Sequence, residues 1–346
     1  MKTLSAVLVE TGKPLEIAEL ETPPLAPGQV LVEIAYSGVC HTQIMEARGL
    51  RGPDNYLPHR LGHEGSGTVL EVGPAVTKVA PGDQVILSWM KGLGCEVPGC
   101  VYDWNGRQVN SGAITTFARH AVISENRLTK VPAGLPLDQA ALLGCAAPTG
   151  LGAVMNTARP RPGQSLAVLG AGGIGLCAVA GAAVSGCHPV IAVDINPDKL
   201  ELARHLGATH TVDASGEDAA AAILDICPGG VDFAVEASGQ PSVMAQALAV
   251  VRNQGGTAVV VGNARHGSRL DLDPWLLNLG RSLKGTWGGD NQPDRDFPRY
   301  AALMQSGRLD LAPLISGVYS LERVNQALDD LEAGRVARPL IDMSLE

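Results

Sequence analysis

The sequence of 346 residues lacks an excess of positive charge. It has 26 Lys and Arg residues against 35 Asp and Glu residues, and its formal net charge is −9. An acidic chain has no general electrostatic attraction to nucleic acid or to a membrane surface, so we expect neither as a partner. It also lacks an apolar run of about 18 residues, which argues against a transmembrane helix. The apolar stretch before Glu10 is too short to predict a secretory signal.

The cysteines do not form the pattern of a disulfide scaffold. There are seven, an odd number, spread from Cys40 to Cys227, and this favours reduced thiols in a cytoplasmic protein. Aromatic residues are only 3%, whereas the hydrophobic and charged fractions, 45% and 18%, are ordinary for a globular chain. The 42 glycines have no collagen-like period. They indicate tight turns or close approach of the backbone to a ligand.

The pattern of the chain changes near residue 150, and the length is enough for two domains. Before that point, segments rich in β-branched residues, broken by Pro and Gly, predict an irregular antiparallel unit with strands at 67–72, 84–88 and 113–123. After it, short apolar runs alternate with helical stretches, which predicts a parallel sheet covered by helices on both faces. The runs lie at 166–169, 190–193, 231–235, 257–261 and 283–287.

A glycine turn follows the first of these strands and opens a helix. In Gly170-Ala171-Gly172-Gly173-Ile174-Gly175, the first glycine makes the turn, the second lets the backbone approach a pyrophosphate, and the third lets helix and strand pack closely. The helix N-terminus presents free N–H groups to the anion. The alternative is a glycine-rich turn without a ligand.

Asp194 ends the next strand, 19 residues after Gly175. An acid there binds both ribose hydroxyls and repels a 2′-phosphate, so this position favours NAD over NADP. Lys199 lies one turn into the following helix. It either reaches the same ribose edge or is an ordinary solvated lysine.

Three residues that could bind a metal are far apart in the sequence. Cys40, His63 and Cys145 would supply two thiolates and an imidazole, which suit zinc and leave a fourth tetrahedral position open. Spacing alone does not connect them. Each has a simpler interpretation as a core cysteine or a hydrogen-bonded histidine.

Several motifs in order resemble the zinc-dependent alcohol dehydrogenases of the medium-chain dehydrogenase/reductase superfamily, over nearly the whole chain. They are Gly38-Val39-Cys40-His41-Thr42, Gly62-His63-Glu64-Gly65, Gly144-Cys145 with Thr149-Gly150, the glycine turn, Asp194-Ile195-Asn196, and Gly280-Arg281-Ser282-Leu283-Lys284-Gly285. The resemblance implies an α/β protein with a GroES-like irregular β catalytic domain plus a Rossmann doubly wound parallel-sheet cofactor domain. The implied boundaries are 1–146 with 288–346 for the catalytic domain, and 147–287 for the NAD-binding domain.

The resemblance also implies a role for each matching position. Cys40, His63 and Cys145 would hold a catalytic zinc, with Glu64 as a carboxylate able to approach the metal, and Thr42 would take the substrate's proton. Trp89 would line the substrate pocket, unless it is an ordinary core aromatic. The remaining positions would contact the cofactor: His41 and Arg338 its pyrophosphate, Thr149 and Ile174 its nicotinamide ring, and Val261, Gly262 and Asn263 its carboxamide.

Three departures from the family pattern bear on these roles. Gln43 stands where the family commonly has an Asp close to the metal, and Met45 stands where a His often ends the proton relay. The family supplies four cysteines for a structural zinc, but this chain has only Cys95 and Cys100 in that region. We therefore expect one catalytic zinc per chain and no structural zinc.

The resulting hypothesis is an NAD-dependent zinc alcohol dehydrogenase, an oxidoreductase. It would transfer a hydride reversibly between a small alcohol, held on zinc as its alkoxide, and NAD, giving an aldehyde or ketone. One alternative is a zinc-free quinone or enone reductase of the same superfamily. Another is a non-catalytic cofactor-binding protein that senses redox state. In the resembled family, cofactor domains pair through the strand matching 283–287, so we expect a homodimer or homotetramer.

Overall fold

A computed structural model describes residues 1–345, which divide into two compact units. The first comprises residues 1–145, 292–306 and 314–345. The second comprises residues 146–291 and 307–313. Residues 146, 288–291 and 307–313, predicted to belong to the first domain, thus lie in the second unit.

Eighteen strands and ten α-helices make up the described chain, together with short 3-10 segments and one π-helical turn. The strands are β1 (Lys2–Leu8), β2 (Glu16–Glu21), β3 (Gln29–Gly38), β4 (His59–Arg60), β5 (Glu64–Val72), β6 (Gln84–Ser88), β7 (Val101–Trp104), β8 (Arg107–Asn110), β9 (His120–Ser124), β10 (Leu128–Lys130), β11 (Leu166–Leu169), β12 (Val190–Asp194), β13 (His210–Asp213), β14 (Phe233–Glu236), β15 (Thr257–Val260), β16 (Ser282–Gly285), β17 (Ile315–Tyr319) and β18 (Arg338–Asp342). The α-helices are α1 (His41–Ala47), α2 (Leu137–Leu142), α3 (Ala146–Gly152), α4 (Gly173–Val184), α5 (Pro197–His205), α6 (Ala219–Ile226), α7 (Pro241–Val250), α8 (Trp275–Asn278), α9 (Pro293–Gln305) and α10 (Val324–Glu332).

The first unit is a β structure, as the β-branched segments indicate. Strands β1, β2, β7, β8 and β4 close a small barrel, and β10, β6, β5, β3, β18 and β17 form a sheet in that order, with β9 also paired to β3. The apolar residues of β3, such as Val30, Val32 and Ile34, lie in one core cluster with residues of β5, β6, β9 and α10. Strand β18 comes from the end of the described chain and pairs antiparallel with β3. This pairing brings Arg338 to the sheet that carries the catalytic motifs.

The second unit contains a single parallel sheet in the order β13-β12-β11-β14-β15-β16. This is the order of a doubly wound dinucleotide-binding fold, with the change of direction between β11 and β14. Helix α5 begins as predicted: Asn196 caps it by accepting a hydrogen bond from the Asp198 N–H at 2.9 Å, and Pro197 occupies its first turn. The predicted fold class is confirmed.

One predicted strand is too long. Residues 113–123 were expected to be extended throughout, but only His120–Ser124 forms a strand. The preceding segment leaves the sheet because the N–H groups of Thr116 and Phe117 both bond to the Leu61 carbonyl, at 3.1 and 3.0 Å. That contact holds the segment against the loop that carries His63. In residues 1–345, no helix has both the length and the apolar character needed to span a membrane.

Candidate active site

Three loop–element junctions of the first unit carry the predicted metal ligands. Cys40 is the N-cap of α1, His63 comes immediately before β5, and Cys145 follows α2. Two glycines permit their close approach: a Cβ on Gly38 would lie 2.6 Å from Glu64 Cδ, and a Cβ on Gly144 would lie 2.4 Å from the Leu87 carbonyl oxygen. Both distances are below ordinary contact, so neither position accepts a side chain without a shift.

These junctions bring Cys40, His63, Glu64 and Cys145 together, with one ligand atom from each lying within 4.8 Å of all the others. The His63 Nε2 atom is 3.3 Å from Cys145 Sγ. Two ligands of one tetrahedral zinc, at normal Zn–N and Zn–S distances, are about 3.6 Å apart. Both cysteines are buried. The donor set and its spacing therefore fit zinc.

The electrostatics of the cluster favour bound cations. The hydrogen bond that the two thiols share lowers the pKa of Cys40 well below its usual value and raises the pKa of Cys145 well above it. Burial by itself lowers the pKa of His63, but its contact with the Cys40 thiolate outweighs this and raises it. A metal cation relieves the repulsion between two buried thiolates, because both ligands can then be ionised together.

The two carboxylate oxygens of Glu64 differ in their hydrogen bonding. Its Oε1 accepts a short hydrogen bond from Arg338 Nη2, and both side chains are buried. Its Oε2 is buried and has no hydrogen-bond partner. An unpartnered carboxylate oxygen beside two thiols fits the implied approach to a metal. Burial opposes the charge on Arg338, but the negative groups around it, Glu64 first, raise its pKa well above its usual value.

The Arg338 contact differs from the one that the resemblance implies. Its guanidinium is buried against Glu64, and its Nε has no partner. The pyrophosphate role of Arg338 stays a prediction. His41 is exposed at the start of α1, and its cofactor role is likewise a prediction.

Two neighbours contact the ligands directly. The Trp89 indole N–H donates a hydrogen bond to Cys145 Sγ at 3.2 Å. Gln43 is buried, accepts a hydrogen bond from the Cys40 N–H at 2.8 Å through Oε1, and touches His63 Nδ1 through Nε2. The sequence analysis indicated Gln43 by its departure from the family pattern, whereas no sequence signal distinguishes a Trp89 that bonds to a ligand from one that only packs.

A cavity of the first unit borders one member of the cluster, His63. The hydroxyl oxygen of Thr42 lies 3.8 Å from Cys40 Sγ, and Thr42 is half-buried. Met45 is buried in α1, so its side chain faces the core. A cavity of about 590 Å³ in the first unit is lined by Gln43 and His63 and by residues of the loops 49–54 and 110–115.

The glycines in the turn of the second unit have different structural roles. Gly170 has φ of +99°, and a Cβ on Gly175 would lie 1.8 Å from the Gly170 carbonyl oxygen, so both are required by the turn itself. A Cβ on Gly172 meets no atom within 4 Å. Gly172 is the N-cap of α4, and Gly173 and Ile174 begin that helix. The open space beside Gly172 and the helix N-terminus is where an anion would bind.

Asp194 lies beside this turn. Its Oδ2 accepts a hydrogen bond from the Ala171 N–H at 2.7 Å, and its Oδ1 accepts one from the Asn196 N–H at 2.9 Å. The carboxylate is therefore oriented at the carboxyl edge of the sheet, where a ribose is expected. Lys199 is half-buried in α5. Val261, Gly262 and Asn263 follow β15 at the same edge, and Thr149 is buried in α3 with an unpartnered hydroxyl.

The loop of Cys95 is held by a carboxylate that the sequence analysis did not identify. Glu125 accepts hydrogen bonds from the backbone N–H groups of Thr77, Lys78 and Cys95, at 2.6, 2.7 and 2.6 Å. Ser124 adds bonds to the Val97 N–H and to the Cys95 carbonyl, at 2.9 and 3.0 Å. These bonds hold the loop of Cys95 in place. No motif indicates Glu125, because its partners are backbone groups distant in sequence.

Comparisons with known proteins agree with this architecture. Residues 26–133 match the family model described as an alcohol dehydrogenase GroES-like domain, and residues 173–306 match the model described as a zinc-binding dehydrogenase. An S-(hydroxymethyl)glutathione dehydrogenase of Escherichia coli is 35% identical over 99% of this chain and 100% of its own length.

Solved structures give the same answer. A zinc-binding-domain alcohol dehydrogenase of Burkholderia ambifaria superposes with a TM-score of 0.92, and the benzyl alcohol dehydrogenase of Acinetobacter calcoaceticus with a TM-score of 0.91. Each is 32% identical, with 99% of both chains covered. The relatives span the full length of the chain, and its buried Cys40–His63–Cys145 cluster carries a zinc donor set. The chain therefore belongs to the zinc-dependent alcohol dehydrogenases of the medium-chain dehydrogenase/reductase superfamily.

Proposed function

We propose that this enzyme transfers a hydride reversibly between an alcohol and NAD, giving an aldehyde or ketone. The observation that carries the proposal is the cluster of Cys40, His63 and Cys145, with the unpartnered Glu64 oxygen beside it. A zinc-free reductase has no use for two buried thiols and an imidazole at such short range, so the cluster favours the metal-dependent reaction.

The residues of the first unit would hold the metal and move the proton. Zinc, when bound, supplies a Lewis acid that makes an alcohol hydroxyl acidic near neutral pH. Cys40, His63 and Cys145 supply three ligands and leave one position for the substrate. The Thr42 hydroxyl, adjacent to Cys40, would accept the substrate's proton while passing its own proton on through the cofactor ribose to water. The Arg338 charge keeps Glu64 in place beside the ligands and balances part of the negative charge there.

The residues of the second unit would bind and orient the cofactor. NAD, when bound, supplies the hydride acceptor. The turn around Gly172 and the N–H groups of α4 receive the pyrophosphate. The Asp194 carboxylate receives the ribose hydroxyls and repels a 2′-phosphate. Thr149 and Ile174 contact the nicotinamide ring, and Val261–Asn263 its carboxamide, as the resemblance implies.

The test is an assay of a panel of alcohols with each cofactor in turn, in which the formation of NADH or NADPH is measured. Benzyl alcohol and S-(hydroxymethyl)glutathione represent the substrates named for the relatives described above. We expect zinc-dependent turnover that prefers NAD, and Asp194→Ala should narrow that preference. Better use of NADP by the wild-type enzyme would contradict the ribose assignment.

Variants of the three proposed metal ligands distinguish loss of zinc from loss of the folded structure. Cys40→Ala, His63→Ala and Cys145→Ala should each lose zinc and activity while remaining folded, and Thr42→Val should keep zinc but lose about 10²–10⁴-fold in turnover. Cys227→Ala, at a half-buried thiol of the second unit, is the matched control. Full activity in a zinc-free Cys145→Ala protein would overturn the proposal in favour of a metal-free reaction.

We further propose a homodimer or homotetramer that pairs through β16. This strand ends the parallel sheet, so one of its edges lacks a neighbouring strand within residues 1–345. Trp287, just beyond it, is 80% exposed. An unpaired strand edge with an exposed aromatic beside it is the kind of surface that a second copy covers.

A further inference from the structure

Gln43 lies between two hydrogen-bond donors of the metal site. Its side chain is fully buried, its Oε1 is 2.8 Å from the Cys40 N–H nitrogen, and its Nε2 touches His63 Nδ1. The His63 Nε2 atom points the other way, toward Cys145 Sγ at 3.3 Å. Nε2 is therefore the nitrogen that faces the thiols, and Nδ1 is the nitrogen that depends on Gln43.

Metal binding determines which ring nitrogen carries the proton. A zinc ligand must offer a lone pair, so a metal on Nε2 requires the proton of the neutral ring to be on Nδ1. Nδ1–H is then a donor that needs an acceptor. The Cys40 N–H is a second donor at the same side chain, and it is present in every state of the site.

Because the Gln43 amide places its oxygen against one donor and its NH₂ group against the other, it accepts from only one of the two. It has one oxygen, which accepts, and one NH₂ group, which only donates. In the orientation described, the NH₂ group faces Nδ1–H. If the amide is rotated by half a turn, its oxygen faces Nδ1–H, and its NH₂ group faces the Cys40 N–H instead. Either way one buried donor of the metal-loaded site faces another donor, and such a group is costly to bury.

We propose that Gln43 is a positioning residue that leaves one buried donor of the metal-loaded site, Cys40 N–H or His63 Nδ1–H, without an acceptor. This chain therefore binds zinc less tightly than the same chain with a carboxylate at position 43. A carboxylate has two accepting oxygens and would satisfy Cys40 N–H and His63 Nδ1–H together. Partners of this kind behind a metal-bound histidine change metal affinity by about 10–100-fold. The inference rests on the proposed metal site and concerns how strongly that site is loaded.

The experiment measures zinc affinity rather than activity. Wild-type protein, Gln43→Glu and Gln43→Asp are titrated against a chelator of known affinity, all at the same pH. The zinc-induced rise in Tm is recorded for each. Glu keeps the length of the side chain and Asp shortens it, so a misfit of one variant leaves the other as the test. Asn110→Asp makes the same amide-to-acid change on the wall of the cavity that Gln43 and His63 also line, and it is the matched control.

We expect both position-43 variants to bind zinc about 10–100-fold more tightly than wild type, with a larger zinc-induced rise in Tm. Asn110→Asp should keep the wild-type affinity. Unchanged or weaker affinity in the position-43 variants overturns the inference. Equal tightening by Asn110→Asp also overturns it, because a general charge effect would then explain the result. If wild-type protein binds no zinc, or binds only zinc that the Cys145→Ala variant also binds, the proposed metal site itself is wrong.

Discussion

At the scale of single residues, the Trp89 indole N–H is the contact with the clearest chemical consequence. It donates to Cys145 Sγ at 3.2 Å, and a hydrogen bond to a thiolate stabilises the ionised ligand. Trp89→Phe keeps an aromatic ring but removes the donor. We expect its zinc affinity near neutral pH to fall by about tenfold, because the proton then competes better for Cys145. Competition with a chelator measures this.

Trp104→Phe provides the control, since Trp104 packs against the barrel core of the first unit and lies outside the metal cluster. Its zinc affinity should equal that of wild type. If Trp89→Phe also bound zinc as wild type does, while its substrate KM changed, Trp89 would be a pocket residue alone.

At the scale of elements, two glycines in the turn between β11 and α4 should affect protein stability and cofactor binding differently. Gly172→Ala adds a Cβ in open space at an ordinary φ of −74°, so stability should stay within about 0.5 kcal/mol. NAD binding should weaken by about tenfold or more, because the Cβ occupies the approach of the pyrophosphate. Calorimetric titration with NAD and chemical unfolding give the two values.

Gly175→Ala should show the opposite balance. Its Cβ would lie 1.8 Å from the Gly170 carbonyl oxygen, so the turn must shift, and we expect a loss of about 1–3 kcal/mol in the free energy of unfolding. Equal NAD affinity in wild type and Gly172→Ala would show that the cofactor does not approach this turn.

At the scale of the whole molecule, the free edge of β16 allows a sharp test of assembly. The N–H groups of Ser282 and Thr286 point toward β15 and bond to the carbonyls of Gly256 and Val260, at 2.9 and 3.3 Å. Since alternate residues of a strand direct their N–H groups to the same side, the Gly285 N–H points to the free edge. A Cβ on Gly285 meets no atom within 4 Å. Gly285→Pro should therefore keep the fold and yield monomers in light scattering, because proline removes that donor.

Gly285→Ala retains the N–H and should remain oligomeric. Wild-type protein that is monomeric at micromolar concentration would contradict assembly altogether. An oligomer that survives Gly285→Pro would instead place the interface on another surface.

Zinc stoichiometry is also a property of the whole molecule. Glu125 and Ser124 hold the loop of Cys95 through hydrogen bonds to backbone N–H groups, so this loop has organising partners other than a metal. We expect metal analysis of loaded protein to give about one zinc per chain, and Cys95→Ser to leave activity nearly unchanged. A ratio near two, with the second zinc lost in Cys95→Ser, would show that the loop of Cys95 binds metal.

The sequence by itself determined the local structures. The glycine turn, the Asn196–Pro197 helix start and the strand–helix alternation depend on neighbours a few residues apart, so composition and spacing are sufficient to predict them. The family motifs extended this to the ligand set and the fold class. Neighbouring residues do not determine where a strand leaves its sheet, which is why residues 113–119 were wrongly predicted to be extended.

Only the tertiary structure decided how the site is assembled. His63 and Cys145 are separated by 82 residues, and Glu64 and Arg338 by 274. Their contacts arise because β3, β5 and β18 pair in a particular register, which brings the ends of distant strands to one edge. The contacts of Gln43 and Trp89 with the ligands have the same origin. Such contacts depend on the packing of the whole unit, since no local sequence preference specifies which distant side chain a buried donor will meet.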